Sequence, residues 1–187
     1  MSKFGNTREA IQTALAHAYL GNTNTANFMD YGCPIDKSSG NASYIMATAV
    51  QMAKIRAAIS AQKEKIANSL IYNYGPDVQA FNKQAKQSIL ASTVTSEVFG
   101  TKKGTKMGNR LYAIAWLAVE DFRIGLILNK EMPVSSYLEL IGYSGSQWAR
   151  DYEPRRREAL MALKCYDSDG VANVSVVVKE IRESEKL

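Results

Sequence analysis

Histidine occurs once in 187 residues, cysteine twice and proline four times, and each scarcity closes off chemistry. With His17 as the sole imidazole, Ser-His-Asp and Cys-His arrangements and two-histidine metal sites are confined to one residue, unaccompanied by an arranged nucleophile or orienting group. Cys33 and Cys165 are too few and too dispersed for a disulfide framework or a thiolate zinc site, which fits a reduced, cytoplasmic setting. Long apolar runs are missing too. The oiliest stretch, Leu111 to Leu128, carries Glu120, Asp121 and Arg123, charges too costly for a membrane-spanning helix. The residues after Met1 hold no apolar run that reads as a secretory signal. The expectation is a soluble protein with no catalytic residue, no metal and no cofactor.

What the chain does have is the composition of an ordinary globular protein, 46% hydrophobic and 22% charged. Lys and Arg number 23 against 18 Asp and Glu, a net charge of +5 that admits an anionic partner without demanding one.

The periodicity predicts an all-α fold. Thr7 can cap a helix over Thr7 to Leu20, whose apolar members Ala10, Ile11, Ala14, Leu15 and Ala18 recur at helical spacing. Asn22 to Gly40 is small, polar and turn-forming, a long irregular connection. Asn41 to Tyr74 then runs almost without breakers and reads as one long helix, with Ile45, Met52, Ile59 and Ile66 seven residues apart. Gly75-Pro76-Asp77 turns the chain into a second helix that carries Val78, Phe81, Ala85, Ile89 and Val94 and stops near Gly100, completing an N-terminal helical hairpin. Gly100 to Arg110 holds Lys102, Lys103, Lys106, Arg110, three glycines and no acid. It reads either as a solvated linker or as a phosphate-backbone contact, and it divides the chain into residues 1–100 and 101–187. Leu111 to Leu128 is the strongest core helix, with Glu120 and Asp121 expected on its solvated side beside Arg123.

The segment after Pro133 bears most directly on function. A short helix from Ser135 to Ile141 meets Gly142, a residue suited to the left-handed turn that closes a helix. A second helix begins after Ser144, and Ser144 with Gln147 has the spacing of a capping box. Leu138, Ile141 and Tyr143 can pack on Trp148 and Tyr152, giving a helix-turn-helix. Its second helix presents Ser146, Gln147 and Arg150 near its start, where this motif enters the major groove; glutamine suits adenine edges and arginine suits guanine. Pro154 interrupts that helix or starts a new one, and Arg155, Arg156 and Arg157 behind it suit phosphates. The alternative is a helical corner with a charged exterior.

Leu140-Ile141-Gly142-Tyr143-Ser144, followed by Trp148, Ala159 and Leu160, resembles the helix-turn-helix of sigma-factor region 4 and related regulators. Gln147-Trp148, Tyr152, Leu160, Leu163 and Lys164-Cys165 also resemble the C-terminal part of phage late-gene antitermination proteins. The similarity covers the last quarter of the chain, with Asp151 where an apolar residue is expected and Pro154 interrupting the helix. The resemblance implies a transcription regulator that binds double-stranded DNA near a promoter and contacts RNA polymerase.

Two other classes compete. A helical interaction protein would use the Asn41 to Gly100 hairpin to dock a partner or form a homo-oligomer. A metal-dependent nucleic-acid enzyme would draw on Asp30, Asp36, Glu120 or Asp121, although adjacent helical carboxylates do not aim at one atom. Tyr166 to Gly170 reads as a turn; Asp167, Asp169 and Gly170 match only part of a calcium loop. Val171 to Ile181 leans to helix, and the charged end from Glu180 is read as a solvated tail.

Overall fold

The computed structural model describes residues 6–20, 39–77, 82–101, 104–142 and 144–184, and every element among them is helical, as the periodicity predicts. Helix α1 covers Thr7–Leu20. Its cap is Asn6 rather than Thr7: the Asn6 side-chain oxygen accepts the Glu9 N–H at 2.9 Å, and Thr7 is already helical. The stripe Ala10, Ile11, Ala14 and Leu15 is buried.

The single helix expected from Asn41 to Tyr74 is in fact two. Helix α2 spans Ser39–Ser60, so Ser39 and Gly40 are helical rather than part of the connection, and α3 spans Glu64–Tyr74. The connection itself, with Cys33, Asp30 and Asp36, lies outside the described residues. The break at 61–63 contains neither proline nor glycine, so its cause is tertiary. Lys63 adopts φ −54° and ψ 141°, and the neighbouring Gln62 is bound to helix α8 (Glu153–Ser184). Its amide donates to the Gly170 carbonyl at 3.3 Å and accepts from Asn173 Nδ2 at 3.2 Å. The turn between α2 and α3 is thus held by the helix that both pack against.

Past the turn at 75–77, helix α4 (Lys83–Glu97) starts from Asn82, whose left-handed backbone (φ 39°) lets its side chain accept the Ala85 N–H at 3.2 Å. Val78 and Phe81 of the expected stripe lie outside the described residues, while Val94 is buried. The hairpin consists of α3 and α4: Lys65 pairs with Glu97 at one end, and Lys83 sits over the Tyr72 ring at the other. Helix α2 packs on α1 and α8 instead.

Helix α5 (Lys106–Leu128) begins inside the glycine-rich stretch, capped by the Thr105 hydroxyl, which accepts the Gly108 N–H at 2.9 Å. Lys106 and Arg110 are therefore helical, whereas Lys102 and Lys103 lie outside the described residues. Helix α6 spans Val134–Ile141 and α7 spans Gly145–Gln147; a π turn over Trp148–Tyr152 then leads directly into α8. Pro154 does not interrupt this path. It sits in the first turn of α8, and the π turn ahead of it, closed by the Glu153 N–H on the Trp148 carbonyl, accommodates the missing proline donor. Tyr166 to Gly170, expected as a turn, continues α8 because Tyr166, Asp167 and Gly170 are buried against neighbouring helices. The valine stretch is helical, with Val174, Val178 and Ile181 buried; Ile181 anchors a segment read from sequence as a solvated tail.

Three apolar clusters organise the helices. The first joins both halves of the chain, with Ile11 and Leu15 of α1, Met52, Ile55 and Ile59 of α2, Leu70 of α3 and Val174, Val178 and Ile181 of α8. The second sets Tyr72, Leu90 and Val94 against Ala115, Ala118, Val119, Ala159 and Leu163. The third, formed by Leu111, Ile114, Tyr137, Trp148 and Tyr152, underlies the α6–α7 unit. Among the described residues no helix is long and apolar enough to cross a membrane.

Candidate nucleic-acid interface

Helix α6 ends at Gly142, whose φ of 72° and ψ of 36° place it in the left-handed region, with its N–H on the Leu138 carbonyl at 2.8 Å. This is the conformation its position in the sequence predicts, and a side chain there would be strained. Ser144 resumes the chain in extended backbone, and the Trp148 N–H reaches its carbonyl at 3.0 Å. The capping box does not form. Ser144 makes no side-chain cap bond; its hydroxyl lies 3.2 Å from the Ser146 hydroxyl, so backbone geometry alone starts α7. Leu138 and Ile141 pack on the Trp148–Tyr152 cluster as expected, and Tyr143 lies outside the described residues.

Ser146, Gln147 and Arg150 are exposed together on this short helical stretch. Arg150 is bound in plane to Asp151, Nε to Oδ1 at 2.7 Å and Nη2 to Oδ2 at 2.8 Å. That hydrogen bonding raises the Arg150 pKa and lowers the Asp151 pKa. Asp151, the departure from the apolar pattern, is thus the residue that occupies the guanidinium. Because the pair is open to water, exchanging one anion for another costs little. Replacing Asp151 by Asn frees the fork, so binding of Arg150 to any anionic surface is expected to strengthen; a titration of the D151N variant against phosphate-rich polymer checks this.

The three consecutive arginines part company. Arg155 is exposed and pairs with Glu158 at 2.8 Å, and Arg157 is exposed and pairs with Glu153 at 3.0 Å. Arg156, expected at the phosphates, is only 5% exposed and is not placed to reach one. It follows Tyr152 and precedes Ala159 and Leu163 on the buried stripe, so helical phase turns it inward. Its Nε and Nη2 donate to Asp121 Oδ2 at 3.0 and 2.7 Å, and further contacts reach Glu131 and Glu153 at 3.1 and 3.3 Å. Burial opposes the Arg156 charge, but the interactions with Asp121 and Glu131 outweigh it and hold the guanidinium above its ordinary pKa.

Asp121 on α5 is the buried partner of Arg156. Expected on the solvated side, it is 3% exposed, because it continues the stripe of Ile114 and Ala118 at helical spacing. Besides Arg156, it accepts the Met132 N–H at 2.6 Å and the Tyr137 hydroxyl at 2.9 Å. Burial first, and the Asp121 charge second, push the Tyr137 hydroxyl well above the usual tyrosine range. A carboxylate on the apolar stripe of a long hydrophobic helix is the signal that identifies this network in the sequence. Glu120 points elsewhere, accepting the Tyr72 hydroxyl and lying 3.9 Å from Arg123. The two adjacent carboxylates therefore do not converge, and no cluster of three or more metal-type ligands occurs among the described residues.

Lys106 is exposed and Arg110 half-buried on the first turns of α5. Leu111, the next residue, shares the third cluster with Trp148, which places the start of α5 beside the α6–α7 unit. The structure thus places Ser146, Gln147, Arg150, Arg155 and Arg157 exposed along the continuous stretch from α7 into α8.

Neither a curated protein nor a solved structure matches the chain. A family model, that of phage antitermination protein Q, matches residues 35–186, far beyond the last quarter that carries the resemblance seen in the sequence. By that match the chain belongs to the phage antitermination protein Q family.

Proposed function

We propose that the chain is a phage antiterminator that reads double-stranded DNA through the α6–Gly142–α7 unit as a helix-turn-helix and acts there on RNA polymerase. The observation that carries this reading is the exposed trio Ser146, Gln147 and Arg150 at the start of a helix, held by a left-handed glycine turn over a buried aromatic platform. Gln147 and Arg150 take the base edges and Ser146 a neighbouring polar group. Arg155, Arg157, Lys106 and Arg110 hold the phosphate backbone, joined by Lys102 and Lys103. The family assignment supports the regulatory role. It is a binding function and requires no catalytic group.

Selection from a random duplex pool, followed by titration at two salt concentrations, tests it. Arg150→Ala is expected to lower affinity for the selected duplex roughly five- to hundredfold while leaving random-sequence binding nearly unchanged. Lys106→Ala is expected to weaken all duplexes alike and to flatten the salt dependence by about one phosphate contact. Equal binding of every duplex by wild type and Arg150→Ala would remove the readout role.

A second reading, association through the N-terminal helices, is favoured by Met46 and Val50 of α2, which are 73% and 54% exposed. Light scattering that gives a salt-insensitive oligomer with no duplex binding would select it.

A further inference from the structure

Behind the exposed face of α7, a single carboxylate ties four segments together. Asp121 on α5 holds Met132 of the connection, Tyr137 of α6 and Arg156 of α8. Helix α6 has only eight residues, and Tyr137 is the one that is fully buried. Tyr137 is therefore its central anchor, with Leu138 and Ile141 packed half-buried against the same cluster. The Tyr137 ring lies 5.0 Å from Trp148 and 5.4 Å from the Arg156 guanidinium, so the same residue that fixes α6 also touches the first residue of the π turn.

We infer, resting on the DNA reading above, that Asp121, Tyr137 and Arg156 are positioning residues that set the angle at which α6 and α7 present Gln147 and Arg150. The π turn sets the rotation. One extra residue in a helical turn displaces what precedes it by about 100° around the axis relative to α8. Trp148 Nε1 donates to Glu153 at 3.1 Å, and Glu153 also receives Arg156 at 3.3 Å, so the π turn and the buried carboxylate form one connected network. None of these positioning groups belongs to the exposed trio. Their effect on binding acts through orientation.

Orientation matters unequally for the two kinds of contact. Bidentate hydrogen bonds to base edges weaken steeply with misalignment, whereas exposed lysine and arginine side chains follow a displaced phosphate by changing rotamer. Loosening the network therefore lowers discrimination between sequences and spares the salt-dependent background. A purely structural role would lower stability and leave the selectivity of the folded protein unaltered.

Tyr137→Phe is the test, because it removes the hydroxyl but keeps the ring against Trp148. The full-length variant and wild type are titrated with the duplex that wild type selects and with a scrambled duplex, with circular dichroism confirming the fold. The expected result is about a tenfold fall in the ratio of the two affinities with an unchanged salt slope. Should Tyr137→Phe not fold, Arg156→Lys carries the test, since it keeps the charge on Asp121 but loses the two-pronged geometry. A folded variant whose ratio stays within about twofold of wild type overturns the inference alone. A wild type that selects no duplex overturns the DNA reading and, with it, this one.

Discussion

Asp121→Ala is expected to destabilise the protein by about 3–5 kcal/mol, and Arg156→Ala by a similar amount, read as a fall in the urea midpoint at constant slope. Both side chains are almost fully buried, 3% and 5% exposed. Truncating Asp121 leaves the Arg156 guanidinium inside the protein with only Glu131 and Glu153 to balance it, and strands the Met132 N–H and the Tyr137 hydroxyl. Truncating Arg156 leaves a buried carboxylate with two neutral donors. The cost in each case is that of an unpaired buried charge, not the worth of the pair. The double variant Asp121→Leu with Arg156→Met removes both charges and refills the space, so it is expected to lie much closer to wild type than either truncation. A strongly non-additive cycle is the signature. Single losses below about 1 kcal/mol would mean that water reaches the pair and that the network does not hold α6 in place.

The same pair marks the boundary of what the residue pattern conveys. Helix identity was legible because apolar residues recur at three and four positions; α1 and Gly142 fall where the pattern predicts. The exposure of Ser146, Gln147 and Arg150 was legible for the same reason. For Arg156 and Asp121, charge and helical phase point opposite ways and phase prevails: each lies on its helix's buried stripe, and each supplies the partner that makes burying the other tolerable. That pairing spans 35 residues of sequence, so neither helix read alone reveals it. The break at 61–63 escapes for a related reason. Its stabilising contacts, from Gln62 to Gly170 and Asn173, are more than a hundred residues away in the chain. Ser144 errs in the opposite direction, since a local motif with the right spacing gives way to backbone geometry that already starts the helix.

Gly170 carries the other large expected effect. In a long exposed helix, Gly→Ala stabilises by about 1 kcal/mol, and on propensity alone a glycine inside the 32-residue α8 invites that change. Here the added Cβ would stand 2.9 Å from Cγ and Cδ2 of Leu70 and 3.0 Å from Cγ2 of Ile66. Leu70 is fully buried in the first cluster, so it must shift within a packed core to admit the new methyl group. Gly170→Ala is therefore expected to destabilise on balance, overpacking of about 1–3 kcal/mol exceeding the propensity gain, with Gly170→Val at or beyond the upper end of that range. The clash also predicts compensation. Leu70→Ala alone opens a cavity and costs about 2–5 kcal/mol, yet in the Gly170→Ala background the freed space accepts the new methyl group, so the two changes together cost less than their sum. Urea unfolding of the four proteins measures the coupling. A Gly170→Ala variant more stable than wild type would show that α3 and α8 do not cross at this closeness.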